Sequence, residues 1–292
     1  MLEGSEVTTV EWLIAPLRYP FMVRALVAST LVGGLSAVVG TFVVLRSMTF
    51  LGDAIAHSVL PGIAAGVLVS GRGDRRTLFW WALGTAVLVT LGIGWVHERG
   101  RVREDAAIGI VFAGMFALGI ALLSTVRGFS VDLVHILFGN VLAVSSSDLV
   151  LIAGFGGGVL LILGAFYREF VLVSFDPILG ATLRLPVRLY RYALLVLTAV
   201  TVVVSLQVVG LALMLAMLVA PPSTALLLTR RVPATMAIAA LCGVVSGLVG
   251  LYLSFYFSVA SGAAIVLVAI GLFLLALLVT RRRVVFARLR TR

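Results

Sequence analysis

Apolar residues run in stretches of about twenty, one after another from residue 21 to residue 280, and this pattern constrains the fold more than any motif. A helix of about twenty residues spans the roughly 30 Å of a bilayer's hydrocarbon core. The chain of 292 residues is 62% hydrophobic and 12% charged, with a mean hydropathy of +1.21. Soluble domains sit near one half apolar and one quarter charged, so this is a polytopic, all-α membrane protein.

The spans fall at about 21–45, 53–70, 78–96, 106–125, 148–166, 192–207, 210–228, 233–257 and 261–280. The run 192–228 is too long for one span and is divided by a tight turn near Gln207–Gly210. The total is about nine helices, or eight if one of these does not cross. Residues 1–20 form an N-terminal interfacial segment, 21–280 a single transmembrane domain and 281–292 a basic tail. Pro61-Gly62 and Pro221-Pro222 are expected to break their spans. Residues 126–147, interrupted by Arg127, Asp132, His135 and Asn140, read as a short re-entrant or interfacial helix. The long polar connection 167–191 holds a short soluble helix that starts at Asp176-Pro177 and stops before Pro186.

All basic charge is arginine; with 22 basic and 12 acidic residues the net charge is +10. The arginines lie in loops and tails between apolar spans, which makes them topology determinants and lipid-headgroup contacts, not a nucleic-acid surface. The tail, Arg230-Arg231, 167–191 and 97–105 all fall on the cytoplasmic side, whereas Arg72, Arg75 and Arg76 fall outside as an exception. Without a lysine the chain has no standard phosphate-binding loop, so any ATPase site belongs to another polypeptide. Cys242, the single cysteine, excludes a disulfide framework and reads as a small apolar residue within a span. The acidic N-terminus, with Glu3, Glu6 and Glu11, does not suggest a cleavable signal peptide.

Asp53 and His57 are four residues apart, so on a helix they point to the same side, about one turn from each other. A carboxylate and an imidazole together in hydrocarbon are costly and mark a site before they mark decoration. Both suit a borderline divalent cation such as zinc or manganese. The plain alternatives are an N-cap after Gly52 for Asp53 and a hydrogen-bonded core position for His57. Their common register favours a ligand or gate. Asp132 and His135, three apart on the presumed outer side, form a weaker pair whose plain reading is an interfacial polar face. His97 with Glu98 lies in an arginine-rich loop and reads as solvated, and Arg24 as a snorkelling cation.

The segment VLRSMTFLGDAIAHSVLPG (44–62) resembles the signature of membrane permeases in the manganese/zinc/iron, metal-chelate (ABC-3) class of ABC importers. REDAAIGIVFAGMFALGIALLS (103–124), VDLVHILFGNVLAVSSSDL (131–149), SFDP (174–177) and VVGLALMLAMLVAPPSTALLL (208–228) follow in that family's order and spacing. The resemblance implies a type II importer-like bundle that works as a homodimer in the bacterial inner membrane. It implies cytoplasmic ABC ATPase subunits and an extracytoplasmic metal-binding protein as partners. It implies zinc or manganese as cargo, with no permanently bound cofactor. It places Asp53 and His57 in the translocation pathway. It makes Asp176, Pro177, Gly180, Arg184 and Pro186 the coupling helix that docks on the ATPase. Arg184 departs from the family, which usually has a glycine there. Two rival functions are a proton-coupled secondary metal transporter, which calls for further acidic or histidine relays within spans, and a membrane metalloenzyme, for which no HExxH occurs.

Overall fold

The computed structural model describes residues 14–70, 75–125 and 141–289, and every regular element among them is helical. A short 3-10 turn at Ala15–Arg18 leads into α1 (Pro20–Leu45). There follow α2 (Leu51–Ser58), α3 (Leu60–Ser70), α4 (Arg75–Gly100) and α5 (Glu104–Thr125). After a 3-10 turn at Val141–Ala143 come α6 (Ser146–Ala165), α7 (Tyr167–Phe175) and α8 (Pro177–Thr182). The chain ends with α9 (Val187–Val209), α10 (Leu211–Leu228), α11 (Val232–Phe257) and α12 (Ser261–Leu289). Counting α2 and α3 as one span, nine of these segments are long and apolar enough to cross a membrane among the described residues.

α1 lies at the centre, packed against α6, α9, α10 and α11. Lipid is as apolar as the helix surface, so helices associate in hydrocarbon through close packing, and small residues permit it. Gly33 and Gly243 face each other across the α1–α11 crossing, where a Cβ on Gly33 would lie 2.7 Å from the Gly243 carbonyl oxygen. Ser36 and Ser205 share a buried hydrogen bond of 3.3 Å between α1 and α9. On the other side of α9, helices α3, α4 and α5 pack together, with Gly119 of α5 seated on Leu60 and Pro61.

The proline breaks differ from expectation. The Pro61-Gly62 interruption falls two residues earlier, at Val59, and Pro61 sits in the first turn of α3, where a missing N–H costs nothing. α10 continues unbroken through Pro221 and Pro222, so these residues do not end it. Pro222 cannot donate to the Leu218 carbonyl one turn back, and Gly40 of α1 lies against that oxygen, where a Cβ would overlap it. The α9–α10 division stands at Gly210, whose φ of 84° suits glycine. The connection 167–191 is more helical than its polarity suggests, since α7 precedes the expected short helix. The last span continues as helix to Leu289.

Ion pairs show which loops share one end of the bundle. Arg46 meets Glu104 at 2.7 Å and Arg188 approaches Glu98 at 3.8 Å, which brings residues 46, 98–104 and 188 to one end of the bundle. That is the end the arginine distribution assigns to the cytoplasm. His97 is tied down there: its Nδ1–H donates to the Val102 carbonyl at 2.8 Å and closes the α4–α5 turn, so it is not simply solvated. Arg24 reaches back to the Pro20 carbonyl.

Alanine substitution separates the crowded glycines from the open ones. Gly40→Ala is expected to cost about 2 kcal/mol or more, because backbone must move to admit the methyl. Gly84→Ala, with nothing within 4 Å of its Cβ position, is expected to be neutral or to stabilise by up to about 1 kcal/mol. Thermal unfolding of the two purified variants in detergent checks the opposite signs.

Candidate functional site

The cytoplasmic end of α1 determines where Asp53 goes. Ser47 takes φ 58°, Ser47 N–H donates to Val44 O at 3.0 Å and Met48 N–H to Val43 O at 2.9 Å. This is a Schellman ending, with Met48 buried beneath it. The chain reverses over these residues, Leu51 N–H donates to Met48 O, and α2 starts. Its N-cap is Phe50, without a side-chain cap, so Asp53 lies in the first turn and the N-cap reading does not hold. An acidic residue there still benefits from the free N–H groups of the helix start.

Leu51, Gly52, Ala54, Ile55, Ala56 and Ser58 are buried, whereas the side chains of Asp53 and His57 are 32% and 27% exposed. One face of α2 is thus locked into the bundle and the opposite face presents the pair. His57 Nε2 lies 3.4 Å from Asp53 Oδ1. An ion about 2.1 Å from each atom would see them about 108° apart, an angle that tetrahedral coordination accommodates. Among the described residues no group of three or more His, Cys, Asp or Glu side chains gathers around a common point. One chain therefore offers a two-donor site there, with room for ligands from elsewhere.

Three further groups belong to this site and were not singled out from the sequence. Phe112 and Phe116 of α5 pack on the His57 ring, with centroids at 6.2 and 5.7 Å. Their i,i+4 spacing matches that of Asp53 and His57, and this repeated register was the available signal. Arg46 is the third, 9% exposed in its side chain and paired with Glu104, which opens α5. Burial lowers the Arg46 pKa below its ordinary value, with Glu104 opposing and Arg191 adding to the shift. The pair joins the α1–α2 turn to the helix that carries the two phenylalanines.

α8 forms a separate feature on the cytoplasmic side. Asp176 caps it by accepting from Leu179 N–H at 2.9 Å, and Pro177 occupies its first position. Gly180 is buried against Val173 and Val187. Arg184 holds φ 58° where Arg184 N–H donates to Ala181 O and Leu185 N–H to Gly180 O, a second Schellman ending. This is the backbone state that glycine adopts freely, so the departure at Arg184 has a physical meaning. Pro186 then caps α9. Phe175, Ile178, Leu179 and Leu183 are exposed here, Ile178 by 77%. Asp132 and His135 lie outside the described residues. Ser145 and Asp148 form a reciprocal capping box at the start of α6.

Arg184→Gly is expected to stabilise the end of α8 by about 1 kcal/mol, seen as roughly fivefold slower hydrogen exchange at the Leu185 amide. Arg46→Ala is expected to cost about 3 kcal/mol by leaving Glu104 unpaired. Adding Glu104→Ala is expected to recover part of that loss, and a double-mutant cycle on thermal unfolding measures it.

Sequence comparison matches the ABC 3 transport family over residues 18–280. The manganese transport system membrane protein MntC of Halalkalibacterium halodurans is 45% identical over 272 residues, 93% of this chain and 91% of that one. A probable iron transport system membrane protein of Haemophilus influenzae is 36% identical over 274 residues, 94% and 99% of the respective chains. Among solved structures, a chain of PsaBC from Streptococcus pneumoniae in complex with Fab superposes with a TM-score of 0.77 at 35% identity, covering 91% of this chain and 94% of that chain.

Proposed function

The chain belongs to the ABC 3 transport family, and from that premise we propose that it is the permease subunit of an ATP-driven importer of divalent transition-metal ions. Manganese is the first candidate for cargo and iron the second, in line with the names of its relatives; zinc is equally compatible with the donor set. The observation that carries the reading is the Asp53–His57 pair, 3.4 Å apart on the partly exposed face of a membrane-embedded helix. A carboxylate on such a face is tolerated where it meets a wet pathway or a second protein surface, not lipid.

A second copy of the chain supplies that surface. Gly109 and Gly114 on α5 have open space around them, which suits the close approach of another helix. Two copies would bring two carboxylates and two imidazoles around one axis, a set suited to holding an ion in passage and to gating its release. The chain itself performs no hydrolysis: a separate ATPase subunit docks on α8, where Phe175, Ile178, Leu179 and Leu183 offer an apolar patch beside Arg184 and Arg188. Asp176, Pro177, Gly180 and Pro186 shape that helix for coupling. An extracytoplasmic metal-binding protein delivers the ion from the other side, where Asp132 and His135 are the candidates to receive it.

The test is metal uptake into proteoliposomes containing the chain with its ATPase subunit, with manganese, iron and zinc supplied separately. Asp53→Ala and His57→Ala are each expected to reduce ATP-dependent uptake to about a tenth or less, or to make it leaky. Unchanged uptake in both variants would remove the site assignment. Uptake without an ATPase would reject the importer reading.

A further inference from the structure

Resting on the Asp53–His57 reading above, we propose that Phe112 and Phe116 form a dehydrating wall at the ion site, and that this wall makes the pathway reject magnesium and calcium. The His57 imidazole meets Phe116 edge to face, at 5.7 Å and 83°, and leans on Phe112 at 6.2 Å and 58°. The two phenylalanines stack on each other at 5.7 Å and 27°. Phe50, the residue from which α2 starts, braces Phe112 at 5.6 Å and 90°. Two rings of α5 therefore pack on the imidazole that carries the one nitrogen donor of the pair and a third braces them, and none of the three can accept or donate a conventional hydrogen bond to a metal's water shell.

This arrangement sorts ions by what they gain on losing water. A hydrated divalent ion that reaches Asp53 must give up water on the side where the rings stand. Iron and zinc recover the loss readily by binding the imidazole nitrogen, and manganese, the weakest nitrogen binder of the three transition ions, still gains more from it than an alkaline-earth ion does. Magnesium and calcium prefer oxygen, and magnesium releases water reluctantly, so the rings leave them without compensation. Phe116 and Phe112 thus act as specificity-determining residues through the medium around the ligands, not as ligands.

The position supports this assignment. Phe112 is eight residues into α5 from Glu104, a rise of about 12 Å from the cytoplasmic ion pair. The rings therefore stand within the membrane-spanning part of α5, on the level of the metal donors and away from the solvated helix end.

The experiment uses the full transporter in proteoliposomes and measures manganese uptake with increasing magnesium or calcium. The quantity read is the ratio of the competitor's inhibitory concentration to the KM for manganese, which does not depend on how much protein has folded. Phe116→Ala is expected to lower this ratio about tenfold or more, by admitting water beside His57. Phe116→Leu, which keeps the wall apolar, is expected to restore most of it. Phe112→Ala carries the same expectation and replaces Phe116→Ala should that variant fail to insert. An unchanged ratio in the alanine variants, with Asp53→Ala and His57→Ala inactive, overturns the wall while leaving the site in place. Full uptake in Asp53→Ala and His57→Ala overturns both.

Discussion

Helices surrounded by hydrocarbon gain little by hiding apolar side chains, so this bundle depends on backbones brought into direct contact. α1 is where that happens most. Its Gly33 meets Gly243 of α11 and its Gly40 meets the Leu218 carbonyl of α10. These contacts leave α1 one axial position, and hence leave the Ser47 turn and the start of α2 one position also. The placement of Asp53 and His57 is thus inherited from two glycine contacts in the preceding span.

Charge completes what packing begins. The Arg46–Glu104 pair holds the α1–α2 turn against the first residue of α5, and α5 carries the rings that touch His57. Breaking a buried pair is costly because it strands a charge, so the two elements that build the site are held in mutual register at their cytoplasmic ends. The same end carries the Arg188–Glu98 contact and, a few residues earlier in the chain, α8. α8 therefore lies at the same charged end of the bundle as the turn that leads into α2.

Much of this was legible in the sequence, and for identifiable reasons. Twenty-residue apolar runs translate directly into spans, and the i,i+4 spacing of Asp53 and His57 needs only a helix to put them side by side. The cap at Asp176 and the glycine joint at Gly210 follow from local chemistry. What escaped depends on partners distant in sequence. Phe112 and Phe116 are unremarkable apolar residues until α5 is laid against α2, and Arg46 is one arginine among many until Glu104 meets it. Pro221-Pro222 looked like a break because the missing donors were counted and the supporting contact from Gly40 was not visible. Residues 167–175 looked like a loop because their charges hid a helix whose Phe170 and Val173 are buried.

The two prolines of α10 have a mechanical side. Each removes one rung of the helix ladder, at Met217 and at Leu218, and a helix lacking two consecutive rungs has less bending stiffness there than in the turns on either side. Leu218 touches Gly40 of α1 through its carbonyl and Gly52 of α2 through its side chain. The softest point of α10 is therefore also its point of contact with the helix that carries Asp53 and His57, one residue away from Asp53.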